Sequence, residues 1–219
     1  MKRLADGLYQ LRGFPPDAIN VYLMGDVIVD AGTRHAGKRI LSQVRGQRVQ
    51  AHALTHAHPD HQGASRQICE QLGIPLWCGR DDVRAMETGS FGQPPHWVNR
   101  LVDWAWAGPP HPVARALEEG DGVGGFEVLH VPGHSPGHLA YWRESDRVLV
   151  LGDVLNNVNV TTGMRGLHEP KVIFTPAPAR NRQSARRLGE LEPALVCFGH
   201  GPPLRDVRRF TEFTASLPA

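Results

Sequence analysis

The run His56-Ala57-His58-Pro59-Asp60-His61 puts four metal-capable side chains into six residues, directly behind the apolar, strand-like segment Val49 to Leu54. A strand end can hold such side chains rigidly, and residues two apart on an extended chain point the same way. His56, His58 and Asp60 therefore converge, while His61 joins them once the chain turns into the next helix. Imidazole nitrogen with a carboxylate suits zinc, and also iron, nickel or manganese. A solvated polar loop is the plain alternative.

Three further candidate ligands stand at strand ends. His134 lies in Val131-Pro132-Gly133-His134-Ser135-Pro136-Gly137-His138, where glycine and proline force a tight turn. Asp153 ends Val148-Leu149-Val150-Leu151-Gly152-Asp153, an apolar strand that tolerates a carboxylate only with a partner. His200 ends Leu195-Val196-Cys197-Phe198-Gly199-His200 in the same way. One histidine at a strand end usually means hydrogen-bonded structure. Three glycine-flanked sites of this kind beside the His56 run point instead to a metal centre.

A chain of 219 residues is long enough to bury an extensive core and reads as one domain over 1–219. A net charge of +2 with 21% charged residues exerts no strong pull on nucleic acid or anionic membranes, so the expected partner is a small molecule. The three cysteines, Cys69, Cys78 and Cys197, are widely spaced among apolar residues and read as buried, inert thiols. The N-terminus has no signal-like apolar core, and no stretch reaches about 18 apolar residues. A cytoplasmic protein is expected.

Leu8 to Leu11, Val21 to Met24 and Val27 to Val29 read as an opening antiparallel meander. A helix over about 35–45 and a strand over 49–55 follow, and the i+4 spacing of Ala64, Ile68 and Leu72 predicts one helix from Pro59 to Leu72. Strands are expected near 126–131, 139–143, 148–151 and 194–198, with a helix over about 180–191 and a short terminal helix. Gly120 to Gly125 lacks a P-loop lysine and reads as a hairpin turn. In the Trp- and Pro-rich stretch 90–112, Trp97, Leu101 and Trp104 share a helical face. Core packing is the plainer reading of that face, with an active-site lid or a homodimer surface as the alternatives.

Thr55 to Gly63, with His134, Asp153 and His200 following in order, resembles the signature of the metallo-β-lactamase fold superfamily, and the resemblance extends to His200. It implies an α/β, four-layer αβ/βα sandwich with the site at one edge of two packed sheets. By that resemblance His56, His58 and His134 bind one metal, Asp60, His61 and His200 a second, and Asp153 bridges two divalent transition ions, zinc first, with iron or manganese also suited. Asp153 sets the pattern apart from most β-lactamases of the fold and brings it nearer the glyoxalase II and lactonase branch. The implied reaction is hydrolysis of a thioester, lactone or related activated acyl compound, with Asp60 orienting a shared hydroxide or carrying a proton. Only 19 residues follow His200, too few for the helical glutathione-holding region of long-type glyoxalase II.

Asp30 matches a family position near the signature loop and is a candidate for supporting the ligands through hydrogen bonds, with a simple turn-forming Asp the equal alternative; His138 is a further candidate for such support. Arg165, His168 and Lys171 are candidates for an anionic substrate, with a solvated loop the alternative. The basic run Arg180 to Arg187 reads as an exposed helix face. Other readings stay open. Persulfide dioxygenases of the same fold carry a similar His-x-His-x-Asp-His run yet use one iron held by two His and one Asp, by that resemblance His56, His134 and Asp153 here. A nuclease of the superfamily and a non-catalytic metal-binding module are the remaining alternatives.

Overall fold

The computed structural model describes residues 1–218. Its first sheet runs in sequence order through β1 (Lys2–Ala5), β2 (Leu8–Gln10), β3 (Tyr22–Met24), β4 (Val27–Val29), β5 (Ala51–Ala53), β6 (Leu76–Gly79) and β7 (Arg115–Leu117). β1 to β4 form the antiparallel meander, and β4 to β7 are parallel. Parallel neighbours need crossovers. These are α1 (Gly37–Val44), then α2 (Pro59–Gln62) with α3 (Ser65–Leu72), then α4 (Val83–Thr88) with α5 (Trp97–Trp106).

The second half supplies β8 (Gly122–Val123), β9 (Phe126–His130), β10 (Leu139–Arg143), β11 (Val148–Val150), the small pair β12 (Asn156–Val158) and β13 (Arg165–His168), α6 (Pro178–Glu190), β14 (Leu195–Cys197) and α7 (Val207–Ser216). The second sheet has the order β14-β11-β10-β9-β8. β8 and β9 join through Gly124-Gly125, whose φ of 56 and 84 give the two-residue hairpin expected from the glycine run.

Packing produces the layers. Tyr22, Met24, Val27, Val29, Ala51 and Ala53 of the first sheet bury against Val128, Leu139, Tyr141, Val148, Val150 and Cys197 of the second. The outer face of the first sheet takes Ile40 and Val44 of α1 and Ile68 of α3, while that of the second takes Ala185 and Leu188 of α6 and Phe210 of α7. The result is the α/β, αβ/βα sandwich expected. Cys69, Cys78 and Cys197 are buried and unpaired, with burial pushing the Cys69 and Cys197 thiols up to about 12 and that of Cys78 well above its ordinary value. Along α6, Arg182 pairs with Glu169 and Arg187 with Glu119, while Leu188 is buried. No helix among the described residues is long and apolar enough to cross a membrane.

Two expectations need correction. The helix drawn from Pro59 to Leu72 is broken, because the chain is pinned at Gly63, where a Cβ would meet Arg34 N at 2.3 Å and the Trp106 carbonyl at 2.6 Å, and Ala64 leaves helical geometry at φ −99, ψ 8. The short α2 that results is devoted to ligands. The core reading of Trp97, Leu101 and Trp104 also fails, since that face of α5 points to solvent and it is Asn99 that is buried.

Candidate metal centre

All seven candidate ligands meet at one end of the two sheets. His56 and His58 follow β5, and His58 is the N-cap of α2, whose first residue is Pro59; the proline fixes φ where its missing N–H costs nothing. One turn of α2 then presents Asp60 and His61. His134 comes from the β9–β10 loop, Asp153 follows β11 and His200 follows β14. Ligand atoms within 4.8 Å of one another form three groups: His56, His58 and His134; His56, His61 and Asp153; and Asp60, His61 and His200.

Hydrogen bonds on the outer side of the rings set which nitrogen faces inward. A carbonyl or carboxylate only accepts, so His200 Nδ1–H donates to the Ala18 carbonyl and His61 Nδ1–H to Asp30 at 2.9 Å. The Thr175 hydroxyl donates to the Lys171 carbonyl at 3.0 Å and so accepts from His134 Nδ1 at 3.0 Å. Thr55 Oγ1 likewise donates to Asp30 at 2.9 Å and accepts from His56 Nδ1 at 3.1 Å. Four rings are thereby fixed with Nε2 turned into the site.

The inward atoms are short of partners. Nε2 of His56 and His61 and Oδ1 of Asp153 are buried without a hydrogen bond. His58 Nδ1 stands 3.0 Å from His134 Nε2, near the roughly 3.3 Å that separates two nitrogens on one tetrahedral ion. The Asp153 carboxylate lies between the groups: Oδ2 is 3.0 Å from His200 Nε2 and 3.7 Å from His134 Nε2, and Oδ1 is 3.5 Å from His61 Nε2. Asp60 Oδ2 is 3.2 Å from His200 Nε2. Converging imidazole nitrogens and carboxylates, several of their buried atoms without a partner, fit divalent transition ions.

Electrostatically the centre has two halves. Burial, then the neighbouring imidazoles, holds His56 well below the ordinary imidazole range, and burial takes His134 down too and His58 to about 4. These rings are neutral at pH 7 and offer lone pairs without a proton to displace. Burial alone would also lower His61 and His200, but carboxylates, Asp153 first, outweigh it and raise both, His200 to about 10. The same contacts hold Asp60 and Asp153 below the usual carboxylate range despite their burial. A cation entering this second half displaces protons.

Asp30 supports the site as the residues suggested. It has φ 63, and its carboxylate takes the Thr55 N–H at 2.8 Å, the Thr55 hydroxyl and His61. His138 is not among the grouped ligands; its Nε2 accepts the Asp153 backbone N–H at 3.2 Å. Gly199 is required by closeness, since a Cβ there would fall 1.9 Å from Asp153 Oδ1. Arg165, His168 and Lys171 are not among the grouped ligands; the Lys171 carbonyl takes the Thr175 hydroxyl.

Four contributors carry no sequence signal of their own. Asp82 is buried and accepts the Ala57 N–H at 3.0 Å, the Ser135 hydroxyl at 2.8 Å and the Gly137 N–H at 2.8 Å, so it ties the His56 loop to the His134 loop. Tyr22 and Asn20 donate to the Phe198 carbonyl at 2.7 and 2.9 Å and hold the His200 turn. Thr175 is the fourth.

His52 shows what a core histidine looks like by contrast. Its Nδ1–H donates to the Ile28 carbonyl at 3.0 Å and its Nε2 takes the Ser65 hydroxyl at 2.8 Å, leaving nothing for a metal. Burial lowers it to about 4 against the Ile28 carbonyl, which pulls the other way. Below about pH 6.5 the unfolded chain takes up a proton that the folded one refuses, so this stability is complete above that pH and falls as pH drops toward 4. Urea unfolding of metal-free protein should show the gap between wild type and His52→Asn narrowing by about 2 kcal/mol from pH 7.5 to pH 5. A constant gap would contradict the assignment.

The family model of the metallo-beta-lactamase superfamily matches residues 14–200. The chain is 29% identical over 201 residues to the probable metallo-hydrolase YflN of Bacillus subtilis, covering 81% of this chain and 76% of that protein. It is 30% identical over 108 residues to the hydroxyacylglutathione hydrolase GloC of Haemophilus influenzae, 47% of this chain and 48% of the other. The crystal structure of TTHA1623 in a di-iron-bound form is similar at TM-score 0.64 and 32% identity, covering 94% of this chain and 91% of that one.

Proposed function

The chain belongs to the metallo-β-lactamase superfamily, and from that premise we propose that it is a binuclear metallohydrolase of activated acyl compounds, thioesters or lactones. The observation that carries this is Asp153, whose carboxylate stands between His134 on one side and His61 and His200 on the other. His56, His58 and His134 would hold one ion, Asp60, His61 and His200 the other, and Asp153 both. Zinc suits this donor set, and iron is supported by the di-iron form of a similar protein. The likeness to a hydroxyacylglutathione hydrolase supports a thioester.

Two ions so held supply a water of near-neutral pKa and a Lewis acid for the acyl carbonyl. The chain's own residues do the positioning. Asp30, Thr55, Thr175 and the Ala18 carbonyl fix the ring tautomers, and His138 holds the backbone of Asp153. Asp60 has a side chain 17% exposed against 8% for His200 and 6% for Asp153, so of these three it opens furthest to an incoming substrate. Its ionised carboxylate can take a proton and return it to the leaving thiol or alcohol. A mononuclear iron dioxygenase would hold its iron at His56, His134 and Asp153; the convergence of Asp60, His61 and His200 beside them supports the two-ion reading.

Stripping the metal with a chelator should abolish hydrolysis of a short acyl thioester and a γ-lactone, and adding zinc, iron or manganese should restore it. Metal-loaded protein that hydrolyses neither, yet consumes oxygen with glutathione persulfide, would overturn the hydrolase reading.

A further inference from the structure

We propose that the mouth of the metal centre is an apolar surface that selects acyl substrates carrying a long hydrocarbon or aromatic group. The inference rests on the hydrolase reading above and deepens it. Four separate segments hold the ligands from outside, and each one turns a large apolar side chain to solvent.

The loop whose Ala18 carbonyl takes His200 carries Phe14, 85% exposed. β12, whose Asn157 N–H donates to the His200 carbonyl, leads into the turn that ends at Met164, 65% exposed. The single turn before Thr175, the partner of His134, begins at Val172, also 65% exposed. α5 packs against α2, which bears Asp60 and His61, and Asn99 ties α5 to the Val172 turn through the Ile173 carbonyl at 2.7 Å. On its open face stand Trp97 and Trp104, 71% and 72% exposed, with Leu101 between them.

α5 is thus an inside-out helix. A surface helix ordinarily buries its apolar stripe, yet here polar Asn99 is buried while the two indoles and Leu101 face water, and no α5 side chain belongs to the described core clusters. Scattered exposed apolar residues need no explanation, but exposed apolar groups gathered on the segments around one site mark a binding surface. Because every one of these segments is tied to a candidate ligand or its partner, the occupant favoured is the substrate's own apolar portion. Each indole offers a large rigid contact area to such a group.

Acetyl, hexanoyl and decanoyl thioesters of one thiol test this. A fully buried methylene is worth about 0.8 kcal/mol, or about fourfold, so kcat/KM should rise by about twofold or more per added methylene. In the Trp97→Ala/Trp104→Ala variant the loss for decanoyl should exceed that for acetyl by about tenfold or more. Hydrolysis with no dependence on chain length would overturn this inference and leave the hydrolase reading intact. Should neither a thioester nor a γ-lactone be hydrolysed, the hydrolase reading fails, and decanamide binding followed by tryptophan fluorescence decides the inference alone. Saturable quenching in the wild type and its loss in the variant support an apolar mouth; an unresponsive wild type overturns it. Sedimentation as a dimer that the double substitution converts to monomer, with flat chain-length dependence, would assign the face to a second copy and also overturn it.

Discussion

Asp153→Ala should lower metal content and reduce kcat by more than about 100-fold, beyond the 10 to 100-fold usual for residues that only support ligands. The carboxylate is within 3.0 to 3.7 Å of nitrogens on His200, His61 and His134. Its removal takes away a negative charge that two cations would share and leaves them repelling each other. His138 provides the control. Its Nε2 takes only the Asp153 backbone N–H, so His138→Ala should retain most of the metal and lose activity within that 10 to 100-fold range. If Asp153→Ala keeps its metal and near-normal rate while His138→Ala loses an ion, the ligand assignment is wrong.

Asp82→Ala should destabilise the protein by about 3 kcal/mol or more, because the Ala57 N–H, the Gly137 N–H and the Ser135 hydroxyl are left without an acceptor and each unpaired buried group costs about 1 to 3 kcal/mol. Burial pushes the Asp82 carboxyl up, while the bonds from Ser135, Gly137 and Ala57 pull it down; the site is satisfied only as a threefold acceptor. For a chain of this size the loss corresponds to a fall in Tm of roughly 6 to 12 °C. Because Asp82 joins the loops of His56 and His134, retained metal should fall first at the His56, His58 and His134 group. A change in Tm under about 2 °C, measured calorimetrically, would show that the three donors find other partners.

The candidate ligands were legible because they stand at the ends of apolar strands: His56 and His58 just after β5, and His134, Asp153 and His200 each directly after a glycine. What the sequence could not carry is the outer ring of hydrogen bonds. Asp82 sits in Arg80-Asp81-Asp82-Val83, a stretch no different from any charged turn, and its importance comes from Ala57 and Ser135, 25 and 53 residues away. Tyr22 reads as an ordinary strand residue until its hydroxyl is found on the Phe198 carbonyl, 176 residues on. Helical periodicity failed in two ways. Across Gly63 it continued through a break imposed by the backbone of Arg34 and Trp106, and in α5 it located an apolar face correctly but assigned it to the interior. Periodicity identifies which residues share a face; the direction of that face depends on what the helix is tied to. Here the ties are Asn99 to Ile173 and Arg34 to Trp104, both to backbone carbonyls.

Elemental analysis of protein purified without added metal tests most directly whether two ions share Asp153. About two equivalents of zinc, iron or manganese per chain, reached at purification or on titration, are expected, because Asp60, His61 and His200 form a second ligand group beside that of His56, His58 and His134. Less than about half an equivalent, with no uptake on titration, would contradict the two-ion reading.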